Sequence, residues 1–149
     1  MSKLNMDIIK VTGIVFLCIG IIMPLSVMAG DFDGSKPLHC TLEETVECLP
    51  GVECVKVKPE EVNLPDTIFI DYAKKTIATK EDGIKRTSPI ENRKHIDGKL
   101  IIQGAEDGRA DQQDGLGWTI AINDSTGKMV ATGSGNDVGF VMFGSCTPQ

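Results

Sequence analysis

The chain has 149 residues, 21 of them acidic against 15 basic, and a formal net charge of −6 at pH 7. That length holds one domain, and so acidic a chain is repelled by nucleic acid and by anionic lipid headgroups. Phe, Tyr and Trp are sparse, which argues against stacking platforms for bases or sugars.

The N-terminus reads as an export signal. Lys3 and Lys10 make a positive start, Val11 to Met28 is uncharged and mostly aliphatic, and Val27-Met28-Ala29 offers small residues to a signal peptidase. Pro24 ends a helix just before that cut. The rival is an uncleaved anchor, for which the apolar run is only marginally long enough. Cys18 sits in the middle of the run after Phe16-Leu17, the wrong place for a lipid-modified first residue. The expected division is therefore a signal peptide over residues 1–29 and one domain over residues 30–149. Loss of Lys3, Lys10 and Asp7 with the signal leaves the remainder one charge more acidic, and nothing then holds the protein to a membrane. The expected location is the periplasm or the outside of the cell.

Four cysteines remain in the domain: Cys40, Cys48, Cys54 and Cys146. An even count in a short exported chain points to disulfides. Zinc would want closer cysteine pairs or nearby histidines, and His39 and His95 are far apart.

In chain order, Leu38 to Leu49 is the first strand candidate and ends at Pro50-Gly51. Cys54 to Lys58 follows. Pro59-Glu60-Glu61 opens one helical turn, since proline suits the first helical position and acids suit the dipole there, and Pro65 stops it. From Thr67 to Tyr72, Ile68, Ile70 and Tyr72 share one face and Phe69 and Asp71 the other. Thr76 to Thr79 and Lys85 to Ile90 are weaker strands. Asp97-Gly98 is a hairpin turn leading into Lys99 to Gln103. Trp118, Ile120 and Ile122 alternate with Thr119 and Ala121 and are expected to point inward, on the opposite face from them. The turn at Asn123 to Gly127 leads to Met129–Thr132, and Gly133 to Asp137 leads to Val138–Phe143. Short strands at this spacing predict an all-β fold, a small antiparallel, barrel-like meander of about eight strands stapled by two disulfides. An open, curved sheet is the alternative.

Cys40 and Cys48 lie on one predicted strand at even separation. They share a face but stand about 26 Å apart when extended, too far to bond. The Pro50-Gly51 turn returns Cys54 to Cys48, so Cys48–Cys54 is favoured. Cys40 then takes Cys146, which makes the first and last strands neighbours.

No catalytic motif survives inspection. Around Ser134 the residue two before is Thr132, where a nucleophile elbow needs glycine, and no helix follows to face a phosphate. The polar loop from Ala105 to Gly117 carries Asp107, Asp111 and Asp114, but their spacing matches no calcium loop and the closing glutamate is absent. His39 and His95 titrate nearest neutrality, and neither has a nucleophile beside it in sequence. No metal or cofactor site is expected. The last strand is unusual: Phe140 and Met142 alternate with Val141 and Phe143, so both faces are apolar. Either residues 30–37 cover its outer face, or Phe140, Val141, Met142 and Phe143 form a partner patch.

Four stretches, Val62 to Asp66, Arg86 to Ile90, Trp118 to Gly127 and Val138 to Pro148, resemble a family of small exported proteobacterial proteins to which no activity is attached. The resemblance runs from Cys40 to the end and implies export and no particular reaction. The loop from Asp107 to Gly117 is longer than that family's short link, which weakens a role for its acids. The placement of Cys40 and Cys146 also resembles periplasmic inhibitors of c-type lysozyme, small barrels with one disulfide joining the ends of the domain.

The leading functional expectation is a non-enzymatic binding or inhibitory module acting on a protein or small ligand in the periplasm. The alternatives are a hydrolase or other enzyme whose site is assembled only by the fold, and an envelope structural or stress protein. If Ala29 closes the signal, the intact mass of exported protein corresponds to a chain beginning at Gly30. A full-length mass in the membrane fraction overturns that assignment.

Overall fold

The computed structural model describes residues 31–81, 84–108 and 110–149. The signal segment and its cut after Ala29 lie outside them. Ten strands form one antiparallel sheet: β1 (Leu38–Cys48), β2 (Val55–Val57), β3 (Thr67–Asp71), β4 (Thr76–Glu81), β5 (Ile84–Pro89), β6 (Asn92–Ile96), β7 (Lys99–Glu106), β8 (Leu116–Asn123), β9 (Lys128–Ser134) and β10 (Gly139–Pro148). The single helical turn, Pro59–Val62, lies where proline and two glutamates predict it, and Asn63 ends it in the left-handed conformation.

The strand order is β5-β4-β3-β1-β10-β9-β8-β7-β6, with β2 paired to β1. The chain therefore starts in the middle of the sheet, builds out to one edge, crosses to the other edge and returns. The sheet curls into a half-barrel. Its edges, β5 and β6, are consecutive in sequence. No ladder joins them among the described residues, yet β5 comes up against β7 beyond the end of β6. There Arg86 Nη1 donates to Glu106 Oε1 at 3.1 Å, and the carbonyl of Pro89 stands against Gly104, where a Cβ has no room.

On β3 and β8 the alternating apolar residues point inward as expected: Ile68, Ile70, Tyr72, Ile120 and Ile122 are buried. On β9 and β10 Met129, Ala131, Phe140 and Met142 are buried as well. Phe69 stands outside. Trp118 faces the core as expected and is half-buried. Its cross-strand neighbours are both glycine, Gly104 and Gly133. They leave room for the ring but provide no side chains to cover it.

Ten strands replace the expected eight or so. The strand that hydropathy does not reveal is β6, Asn92–Ile96, every residue of which is exposed. It is an edge strand with neither face buried, so it carries no apolar alternation, and its charges discourage pairing with another chain. The Asp97-Gly98 turn that sets it up has both residues at positive φ, 48° and 69°, the backbone of a tight hairpin.

Both disulfides form as expected, Cys40–Cys146 and Cys48–Cys54, but Cys40 and Cys48 do not share a face. Leu42 pairs with Gly144 and Glu44 with Phe143, leaving Glu43 as a β-bulge. The extra residue reverses the alternation: Leu38, Cys40 and Leu42 point in, and then Thr45. Cys48 thus falls on the face opposite Cys40. Cys40–Cys146 lies in the core, directly across the β1–β10 ladder. Cys48–Cys54 staples the outer hairpin.

The two bridges close loops of very different length, with sequence separations of 106 and 6. Loop-closure entropy assigns them about 4.8 and about 2.3 kcal/mol. Cys146→Ala is therefore expected to lower the denaturation midpoint more than Cys54→Ala, measured by chemical unfolding of both single variants. Equal losses overturn that ordering.

Candidate functional site

One mouth of the half-barrel is a pocket of about 270 Å³. Its floor is apolar: Phe140 from β10 and Leu64 are buried, and Leu116 and Val138 pack against the core beside them. The local sequence explains each placement. Asn63 turns the chain after the helical turn, Leu64 N donates to Pro59 O at 2.9 Å, and Leu64 drops inward. On the opposite wall residues 110–115 fold back against the end of β7. Gly115 sits under the carbonyl of Glu106, where a Cβ would stand 2.8 Å from that oxygen. Asn136 Nδ2 ties the loop to the next turn by donating to Gln113 O at 3.3 Å.

The wall carries the Arg86–Glu106 pair, whose side chains are 26% and 30% exposed. Arg86 comes from edge strand β5 and Glu106 from the end of β7, so the pair that lines the pocket also spans the seam of the sheet. Asp114 is the remaining ionisable lining residue. An apolar floor with one charged pair and a few amide groups suits a small ligand with an apolar body and a polar end.

Of the residues singled out from sequence, only Asp114 and Phe140 line this pocket. Asp107, Asp111 and Asp114 do not gather: among the described residues no group of three His, Cys, Asp or Glu side chains could hold a metal. His39 is on the outer face with its ring 5.5 Å from that of Phe69. His95 Nε2 lies 3.5 Å from Asp124 Oδ2, and Ser125 Oγ donates to the other oxygen of Asp124 at 3.0 Å. This cluster sits beside the Asp97-Gly98 turn, at the end of β7 remote from the mouth.

The proposed patch on the last strand divides by face. Phe140 and Met142 are core residues, 7% and 6% exposed, because β10 alternates like its neighbours. Val141 and Phe143 face out. Phe143 pairs with Val130, Val130 with Ala121 and Ala121 with Ile101, giving an outer apolar row with Lys94 and Glu44 at its ends. Residues 31–37 do not cover it. They lie across the end of the half-barrel remote from the mouth, where the ring of Phe32 meets Gly127 and Arg93 Nη1 donates to Gly34 O at 3.1 Å.

The mouth itself was not found from hydropathy, because Leu64, Arg86, Glu106 and Phe140 are distant in sequence. Val62 to Pro65, Arg86, and Val138 with Phe140 reach it from separate stretches of the chain. Compared with protein-family models, with curated proteins and with solved structures, the chain matches none.

At the end of the half-barrel remote from the mouth, Tyr72 is buried and its hydroxyl has no hydrogen-bond partner among the described residues. Burial raises its pKa well above the usual value of 10.0, Asp33 adds to the rise and Arg93 opposes it. The native phenol therefore keeps its proton where the unfolded one loses it. The stabilisation is complete below pH ~10 and is lost as pH rises above it, by up to ~1.4 kcal/mol per pH unit. Tyr72 is the only tyrosine in the chain, so absorbance at 295 nm reports it alone. Native protein is expected to show no tyrosinate through pH 10, while protein in denaturant titrates near pH 10. Coincident curves overturn the burial of this hydroxyl.

Proposed function

We propose that this protein is an exported binding module of the periplasm or extracellular space, holding a small amphiphilic ligand in the mouth pocket without transforming it. The observation that carries this reading is the pocket itself, an apolar floor beside a half-buried ion pair on a frame fixed by two disulfides. Preformed, largely apolar concavities with a few convergent polar groups are where small ligands bind, and the stapled sheet keeps this one open without a ligand. Disulfides belong to oxidising compartments, which agrees with the uncharged leader of residues 11–28.

A second reading, a docking or inhibitory surface for a protein, draws on Val130 and Phe143, which are 41% and 42% exposed on adjacent strands. The enzymatic reading has the His95–Asp124 contact in its favour, but His95 is 43% exposed and does not face the mouth.

The test is a titration of isotope-labelled protein with benzoate and with hexylamine, followed by amide shifts. Saturable shifts confined to residues 62–65, 113–116 and 135–140 are expected, and Arg86→Gln should weaken the carboxylate about tenfold, equal to ~1.4 kcal/mol. Absence of saturable shifts at the mouth with both probes overturns the proposal. Shifts centred on Val130 and Phe143 favour the docking surface instead.

A further inference from the structure

The two disulfides differ in access. Cys40 and Cys146 are buried in the core. Cys54 is exposed and Cys48 half-buried, on the outer hairpin beyond the bulge. The turn they close, Leu49-Pro50-Gly51-Val52, stands in solvent with every residue exposed. Thiol–disulfide exchange needs a thiolate to reach one of the two sulfurs, so its rate follows access. In the folded protein the outer bridge offers that access and the inner one does not.

The outer bridge also holds a segment that has little else to hold it. No residue from Leu49 to Asn63 is fully buried. β2 contributes three residue pairs, Thr45 with Val57, Val46 with Lys56 and Glu47 with Val55, and among the described residues β1 is its only strand neighbour. Lys56 Nζ meets Glu44 Oε2 at 2.6 Å, but both side chains are exposed and such pairs contribute little in water. The helical turn Pro59–Val62 buries no side chain, although Val62 packs partly against the core. The first buried residue after Cys54 is Leu64, on the floor of the mouth. Segments with so few buried contacts open at low free energy, and a covalent tie at their root restrains them.

We propose that Cys48–Cys54 is a site of thiol–disulfide exchange with a dithiol reductant, and that opening it loosens the segment that forms one wall of the mouth. A thiolate of the dithiol attacks Cys54 Sγ, giving a mixed disulfide and releasing Cys48 as a thiolate. The second sulfur of the dithiol then displaces Cys54 and closes its own disulfide. An electron pair passes from the dithiol to the bridge, and the two thiol protons of the reductant end on Cys48 and Cys54. Cys40–Cys146 is untouched. With the bridge open, β2 keeps only its short ladder and its exposed ion pair. Val62 to Pro65, which line the mouth, follow it in the chain. The effect on ligand binding rests on the reading of the mouth as the ligand site; the exchange chemistry does not.

The experiment exposes disulfide-bonded protein to dithiothreitol in native buffer for graded times, quenches with iodoacetamide and maps the peptides by mass. A product with Cys48 and Cys54 alkylated and Cys40–Cys146 intact is expected to accumulate first. Simultaneous loss of both bridges, or earlier loss of Cys40–Cys146, overturns the exchange site. Hydrogen exchange then compares the parent with the double variant Cys48→Ser, Cys54→Ser, which lacks the bridge without any reductant. Amides of residues 55–64 are expected to exchange about tenfold faster in the variant, while those of β8 and β9 keep the parent's rates. Unchanged exchange over residues 55–64, or equal quickening across the whole sheet, overturns the loosening of this segment. Benzoate is expected to bind the variant about tenfold more weakly than the parent, and equal affinities overturn the link to the mouth. A parent that does not bind benzoate removes the mouth reading and that link with it, while the order of alkylation and the exchange rates still decide the rest.

Discussion

Everything in this fold depends on the pairing of the first strand with the last. β1 and β10 run alongside each other from Leu38 opposite Pro148 to Cys48 opposite Gly139, in the centre of the sheet. Neither half of the chain can bury its inner face alone, because each would present its longest strand as an open edge. The ladder between them converts two half-sheets into one curled wall, and Cys40–Cys146 makes the pairing covalent inside the core. The two residues sit opposite each other, so the bond secures a register that the backbone already dictates. Contacts so distant in sequence form late and slowly when unassisted. A disulfide that restrains the unfolded chain across that distance acts where the entropic cost of folding is greatest.

The bulge at Glu43 shows how a single extra residue redistributes surface. Below it, β1 puts Leu38, Cys40 and Leu42 into the core. Above it, Thr45 points inward and Cys48 outward. Its neighbour on one side changes at the same level: β3 pairs with Leu38–Thr41 and β2 with Thr45–Glu47. Leu42 N donates to Asp66 O across the gap. The helical turn and Asn63 fill the interval between those two partners. The mouth pocket is therefore partly a product of the bulge, since the segment that spans the gap brings Leu64 to the pocket floor.

What could be read from the sequence follows from which residues have one buried face. In β3 and β8 the period of two is clean, and the inward residues are those expected. The disulfide partners were also legible, although the even spacing of Cys40 and Cys48 was a false guide, because a bulge leaves no mark in hydropathy. β6 was invisible because both its faces meet water. The two-faced apolar pattern of β10 was correctly seen but not divisible by sequence alone: Phe140 and Met142 belong to the core, and Val141 and Phe143 to the outside. The mouth was least legible. Arg86 and Glu106 carry no local pattern, and they meet only because two strands at opposite edges of the sheet curl toward each other.

That last fact ties the site to the frame. Along most of the sheet, neighbouring strands are held by backbone ladders. Between β5 and β7 no ladder forms among the described residues, and the Arg86–Glu106 pair and the approach of Pro89 to Gly104 are two of the contacts that bring the strands together. Just past β5, Glu91 N donates to Gln103 O at 2.9 Å. With each side chain more than a quarter exposed, the ion pair is worth no more than about 1 kcal/mol. The Arg86–Glu106 pair thus belongs both to the seam and to the wall of the pocket, so occupancy of the mouth and closure of the half-barrel draw on the same two side chains.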